Sequence, residues 1–212
     1  MPSRLRSLAA CNLQPRVIFD IGAATGEWAR LAHQVWPAAT IVGFEPNQSR
    51  IEALERTRAE VPGFSFHRCF LGAKASEDVA YADDQEQTSL FATSGRASAT
   101  APMRTLDGML AANQIPQPDL LKLDVQGYEL EALSGGARAM ASASAAILEV
   151  SLYAFAPGVP TLDRVLSFMR ERGFVAYDLA GILRRPKDDR LAQLDVVFLK
   201  EGHELLADVT WA

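Results

Sequence analysis

Short apolar runs alternate with longer amphipathic stretches along the whole chain. The runs "RVIFDIG", "ATIVGFE", "FSFHRCF", "DLLKLDV", "AAILEVSLY" and "GFVAYDL" are rich in β-branched and aromatic residues and read as strands. Between them, apolar residues recur at three- and four-residue spacing, the period of a helix with one buried stripe. In "GEWARLAHQVWP" the stripe is Trp28, Leu31, Ala32, Val35 and Trp36, and Pro37 stops it. In "NQSRIEALERTRAEVP" it is Ile51 and Leu54; in "PTLDRVLSFMRERG" it is Leu162, Val165, Leu166 and Met169, closed by Gly173. Strands alternating with helices predict an open, mostly parallel α/β sheet with helices on both faces. The last run, "LDVVFLK", follows "VAYDL" over a polar loop too short for a crossover helix, so it is expected to pair antiparallel. Thr105, ahead of "LDGML", reads as a helix N-cap, and Asp107 as first-turn charge.

Residues 1–16 precede the first strand and read as an N-terminal extension to a single domain spanning 17–212. Within it, residues 74–104 break the rhythm, being rich in Ala, Ser, Thr and acids. The segments "VAYAD" and "SLFAT" have enough β character for small strands over a pocket, so this insertion is either a lid or substrate loop or a plain surface excursion. With 212 residues, 49% hydrophobic and 22% charged, the chain can bury one sizeable core. A net charge of −5 disfavours a nucleic-acid partner, which would need a concentrated positive face. Near the N-terminus "SLAACNLQP" is too short and polar for a membrane or signal segment, and Cys11 and Cys69 fit neither a disulfide framework nor a zinc spacing. These features imply a cytoplasmic protein with no membrane partner.

The most specific local signal is "DIGAATGEW", residues 20–28, a glycine-rich turn between a strand and a helix. Gly22 and Gly26 permit a sharp turn and leave room for a ligand. A dinucleotide fingerprint reads G-x-G-x-x-G, whereas here the spacing is G-x-x-x-G with Ala24 in the middle and Asp20 two residues ahead of the first glycine. A carboxylate repels a pyrophosphate but attracts the ammonium and sulfonium of S-adenosylmethionine. Glu45, 23 residues after Gly22 at the end of the next strand, can accept hydrogen bonds from both hydroxyls of an adenosine ribose. The plain alternative is that Asp20 and Glu45 only favour the N-termini of the following helices.

On "VIFDIGAATGEW", "GFEPN" at 43–47, "FLGAKASED" at 70–78, "TSL" at 88–90, "MRTLDGML" at 103–110 and "LLKLDVQGYELEALSGG" at 120–136, the chain resembles the FkbM family of S-adenosylmethionine-dependent methyltransferases, from about residue 17 to 200. The resemblance implies a class I methyltransferase sheet, Rossmann-like, with its seventh strand inserted antiparallel. It also implies O-methylation of a hydroxyl on a sugar or secondary metabolite, the acceptor being a small molecule, free or carrier-linked, and S-adenosylhomocysteine the product. The donor contacts expected are Asp20, Gly22, Ala23, Gly26, Glu45, Pro46, Phe70 and Asp124. Two departures stand out: Gln126 where the family usually has glutamate, and Ala24 where related turns carry glycine, tolerable if its φ is negative.

Chemistry is expected in 120–136. Lys122 and Asp124 share a strand face, and Asp124 lies near the carboxyl end, where open α/β sheets bind ligands. Methyl transfer from a sulfonium needs alignment, exclusion of water and a proton acceptor. Asp124 is the preferred base, and Glu129, in the first turn of the next helix, the second catalytic candidate. The plainer readings are a helix-dipole contact for Glu129 and an ion pair of Lys122 with Asp124 or Glu149. A divalent ion held by carboxylates is conceivable, but His33, His67 and His203 are scattered and no metal ligands are assigned. Glu149 and Tyr153 either line the acceptor pocket or simply pack. Arg184, Arg185, Lys187 and Arg190 either attract a phosphorylated or nucleotide-linked acceptor or form a solvated hairpin tip. Two other classes stay open: a non-catalytic module that kept the fold, and a dinucleotide oxidoreductase.

Overall fold

The computed structural model describes residues 1–83, 88–89, 99–207 and 209–210. In chain order the elements are α1 (Pro2–Ala10), β1 (Val17–Ile21), α2 (Glu27–Val35), β2 (Thr40–Phe44), α3 (Ile51–Glu60), β3 (Phe64–His67), β4 (Phe70–Leu71), β5 (Ser76–Asp83) and β6 (Thr88–Ser89). They continue with β7 (Ala99–Arg104), α4 (Leu106–Ala111), β8 (Leu120–Leu123), α5 (Glu129–Ser134), α6 (Ala137–Ser142), β9 (Ala145–Ser151), α7 (Leu162–Arg170), β10 (Phe174–Arg184) and β11 (Leu191–Lys200).

Seven strands form the main sheet in the order β10-β11-β9-β8-β1-β2-β3. β1 is central because, Asp20 apart, its residues are apolar on both faces, the signature of a strand covered by helices above and below. Phe19 and Ile21 join Leu121, Leu123, Leu148 and Val150 in one core, beneath α4, α5, α6 and α7. Ile18, Leu120, Ile147 and Val197 face the other way, beneath α1, α2 and α3. The antiparallel final strand expected from its short connection is present: β11 lies between β9 and β10 and runs against both. Residues 1–16 carry α1, whose Leu5 and Leu8 are buried in the second core, and Arg4 pairs with Asp178 of β10 at 3.1 Å.

Some expectations shift in detail. "FSFHRCF" is two strands in different sheets, β3 beside β2 and β4 beside β7. Thr105 caps α4 by accepting from Gly108 N at 3.0 Å, and Asp107 lies in the first turn of α4 as expected while also accepting from Arg138 N at 2.9 Å at the start of α6. Of the insertion, "VAYAD" lies in β5, which pairs antiparallel with β7; "SLFAT" beyond Ser89 lies outside the described residues. Buried Tyr81 of β5 packs edge-on against Phe70, ring centroids 5.4 Å apart, so this small sheet buttresses one wall of the site.

Candidate active site

β1 leads into α2 and β2 on one side, while its other neighbour is β8, reached much later in the chain. The loops after β1 and β8 therefore diverge over a crevice at their carboxyl ends, where such sheets take ligands. Here the two loops touch. Asp124 N donates to Ile21 O at 3.0 Å, and a Cβ on Gly22 would lie 2.0 Å from the Asp124 carbonyl oxygen. Gly22 (φ +82°) and Gly26 (φ +81°) are thus required by left-handed backbone and by protein neighbours, Asp124 and Thr57.

Ala24 departs from the expectation of negative φ: it sits at φ +46°. An alanine there costs about 1–2 kcal/mol, and its N–H, donated to Glu45 Oε2 at 2.9 Å, helps hold it. Glu45 Oε1 accepts from Asn47 N at 2.9 Å, so this 4% exposed carboxylate fastens the loop after β1 to the end of β2. Burial pushes the Glu45 carboxyl up, against the pull of its two backbone donors. Each oxygen keeps a lone pair for a ligand.

Asp20 lies deeper than its sequence position implied. It is fully buried, Lys122 Nζ stands 3.1 Å from its Oδ1, and it does not reach the cavity. Its nearest charge in the structure is therefore the Lys122 ammonium. Lys122 also donates to Gly22 O at 3.3 Å and lies 3.8 Å from Asp124 Oδ2, so its principal partner is Asp20 rather than Asp124 or Glu149. Burial alone would push Lys122 down; Asp20 and Asp124 outweigh it and hold the ammonium above its ordinary range. Asp20 is pushed up by burial and pulled back by Lys122.

The cavity over this junction is lined by Gly22, Glu45, Pro46, Phe70 and Asp124 of the expected set, together with Ala24. Ala23 and Gly26 are loop members outside that lining; the Ala23 side chain is buried in the core beneath α2. Glu129 is also outside it. Its Oε1 accepts from Gly127 N at 3.0 Å and Val125 N at 3.2 Å, bracing the loop after β8, and burial raises its carboxyl to about 7. In this structure its carboxylate is engaged with the loop N–H groups. Residues not singled out include Phe44, Arg50, Cys69 and Tyr128. Tyr128 follows the Gly127 turn, the one sequence cue for it; burial pushes the Cys69 thiol up to about 12, so it stays protonated.

Beyond Asp124 the same sheet face carries Glu149 and Asp195, directly paired between β9 and β11. Gln126, at φ +53°, donates from Nε2 to Asp124 Oδ1 and to Glu149 Oε2, both at 3.0 Å, and Gln193 Nε2 donates to Glu149 Oε2 at 2.7 Å. Burial and the neighbouring Asp124 and Asp195 raise the Glu149 carboxyl to about 8. Glu149 therefore holds a proton more readily than an ordinary glutamate, beside Asp124. Among the described residues no group of three or more His, Cys, Asp or Glu is arranged to hold a metal ion, and no helix is long and apolar enough to cross a membrane.

The sheet order and the cleft at the β1/β8 switch define the class I methyltransferase architecture. The Methyltransferase FkbM domain matches residues 20–176, and the chain belongs to that family of methyltransferases. It is 25% identical over 139 residues to the hexuronic acid methyltransferase AglP of Haloferax volcanii, covering 63% of this chain and 55% of that one. The chain thus spans about half the length of this relative. Among solved structures it resembles methyltransferase FkbM from Methylobacillus flagellatus (16% identity, TM-score 0.54, 87% of this chain and 43% of that one). It also resembles magnesium protoporphyrin IX methyltransferase from Synechocystis with bound S-adenosylmethionine (14% identity, TM-score 0.54, 94% and 79%).

Proposed function

We propose that the chain transfers the methyl group of S-adenosylmethionine to a hydroxyl oxygen of a small acceptor, a sugar or a carrier-linked metabolite. The observation that carries this reading is one cavity lined by both the buried Glu45 carboxylate and Asp124. Glu45 accepts from the ribose hydroxyls while its own backbone donors keep it from swinging away. Pro46 and the aromatic Phe70 give the adenine an apolar wall. Lys122 neutralises Asp20 from within, which leaves Asp124 as the negative group facing the sulfonium side.

The donor supplies an activated methyl that an acceptor oxygen attacks in line. The O–C bond forms as the C–S bond breaks, and the electron pair stays on sulfur as neutral S-adenosylhomocysteine. Asp124 takes the hydroxyl proton and, by its place beside the donor, orients the acceptor. Gln126 stands where the family resemblance implies a glutamate; as an amide it holds Asp124 and Glu149 together, and Glu149 brings a carboxyl to that spot. The hexuronic acid in the relative's name supports a sugar acceptor.

The test is to incubate the protein with labelled S-adenosylmethionine and a panel of sugars and sugar acids. We expect an alkali-stable methyl ether, formed about 10²–10⁴ times more slowly by Asp124→Asn. An alkali-labile methyl ester, or unchanged transfer in the variant, contradicts the assignment.

A further inference from the structure

Gln126 lines not only the donor cavity but a second one, walled by Ser151, Tyr153, Phe155 and Gln193 at the carboxyl end of β9 and the start of β11. Tyr153 is one of its walls, and two guanidinium groups from the β10–β11 hairpin, themselves outside the lining, face that ring. Arg190 lies 4.8 Å and Arg185 5.4 Å from the ring centroid, within cation–π range. Arg185 is tied to Asp188, whereas the exposed Arg190 guanidinium makes no ion pair within 4 Å among the described residues and feels Asp188 only at longer range. Packing against Tyr153 limits the freedom of both arginines, which lowers the ordering cost of gripping an anion. The hairpin segment 184–190 holds four cations against two acids.

Behind the two lining amides, Gln126 and Gln193, the charge is reversed. Asp124, Glu149 and Asp195 share one sheet face, and Gln126 and Gln193 donate into Glu149. An acidic group on a ligand is repelled there and attracted at the rim; a hydroxyl, which can donate to a carboxylate, is favoured inside. A molecule with a hydroxyl at one end and an acid at the other therefore fits one way round.

We propose that this second cavity is the acceptor subsite and that it selects an acceptor bearing an acidic group, a carboxylate or a phosphate. Arg190, assisted by Arg185, holds that group at the rim while the hydroxyl reaches past Gln126 to Asp124. The assignment rests on the methyl-transfer reading above and adds the charge of the acceptor, its orientation and the residues that choose it. Tyr153 and Phe155 offer aromatic surface for the ring between the two ends.

The experiment titrates S-adenosylhomocysteine-loaded protein with p-nitrophenyl β-D-glucuronide, glucose 1-phosphate and the neutral p-nitrophenyl β-D-glucoside. We expect at least one acidic probe to bind about tenfold more tightly than the neutral one, the scale of a charge-assisted contact. Whether glucuronide or glucose 1-phosphate binds better tells carboxylate from phosphate. Arg190→Ala is expected to erase most of the preference with S-adenosylhomocysteine affinity unchanged. Equal binding of neutral and acidic probes, no binding of any at millimolar concentration, or a preference that survives in Arg190→Ala overturns the subsite. Failure of S-adenosylhomocysteine itself to bind instead overturns the methyl-transfer reading beneath it.

Discussion

The two ends of the cleft are built on opposite principles. Around the loop after β1, each buried charge has a near partner: Glu45 is met by two backbone N–H groups, and Asp20 by Lys122. Across β8, β9 and β11, three carboxyls, Asp124, Glu149 and Asp195, crowd one face; Gln126 links Asp124 to Glu149, Asp195 lies directly opposite Glu149, and the nearest cation, Lys122, stands 3.8 Å from Asp124. The first arrangement fixes a shape to which a constant ligand can bind. The second stores protons, and the rise of Glu149 to about 8 records that excess of carboxyls together with their burial. A donor common to the family suits the first end, and an acceptor that must lose a proton suits the second.

Breaking the matched end has the largest expected consequence. Asp20→Ala leaves the Lys122 ammonium buried with only the more distant Asp124 as counter-charge, and removing one partner of such a pair costs about 3–5 kcal/mol. Thermal or urea unfolding should register that loss. A variant as stable as the wild type would show that the pair is not the internal support proposed here.

The carboxyl-rich end should respond less, and with a distinctive pH signature. The Glu149 carboxyl is raised from its ordinary 4.5 to about 8, so the folded state holds this proton more tightly than the unfolded chain. Its contribution is fully present below about pH 4.5 and is lost as the pH rises through about 8. Glu149→Gln should therefore flatten the decline in stability between pH 5 and 9 without removing it, because Glu129, raised to about 7, loses stability in the same direction. The measurement is unfolding midpoint against pH. A variant with the same slope as the wild type would show that Glu149 does not carry the proton.

How much of this was legible in the chain follows from which contacts are local. The β1 strand, the glycine turn and Glu45 are written in consecutive residues, because side-chain alternation and backbone φ requirements act over a few positions. The antiparallel β11 was also readable, from the shortness of its connection. The Asp20–Lys122 pair was not, since it depends on the register of two strands 100 residues apart in which Asp20 lies opposite Lys122. The Gln193–Glu149 bond likewise needs the β9–β11 register. For Glu129, its place in the first turn was legible, but its carboxylate turns back onto the loop N–H groups of Val125 and Gly127, which only the folded loop reveals. Ala24 defied a propensity argument because the Glu45 bond holds it at positive φ.

The central claim is that the Glu45 end of the cavity grips S-adenosylmethionine. Calorimetric titration of the folded protein tests it directly, run beside Glu45→Ala and beside NAD as a control. We expect saturable binding of S-adenosylmethionine, weakened about tenfold to a hundredfold in the variant, and no comparable binding of NAD. No binding to the folded wild type, or equal affinity in Glu45→Ala, would contradict it.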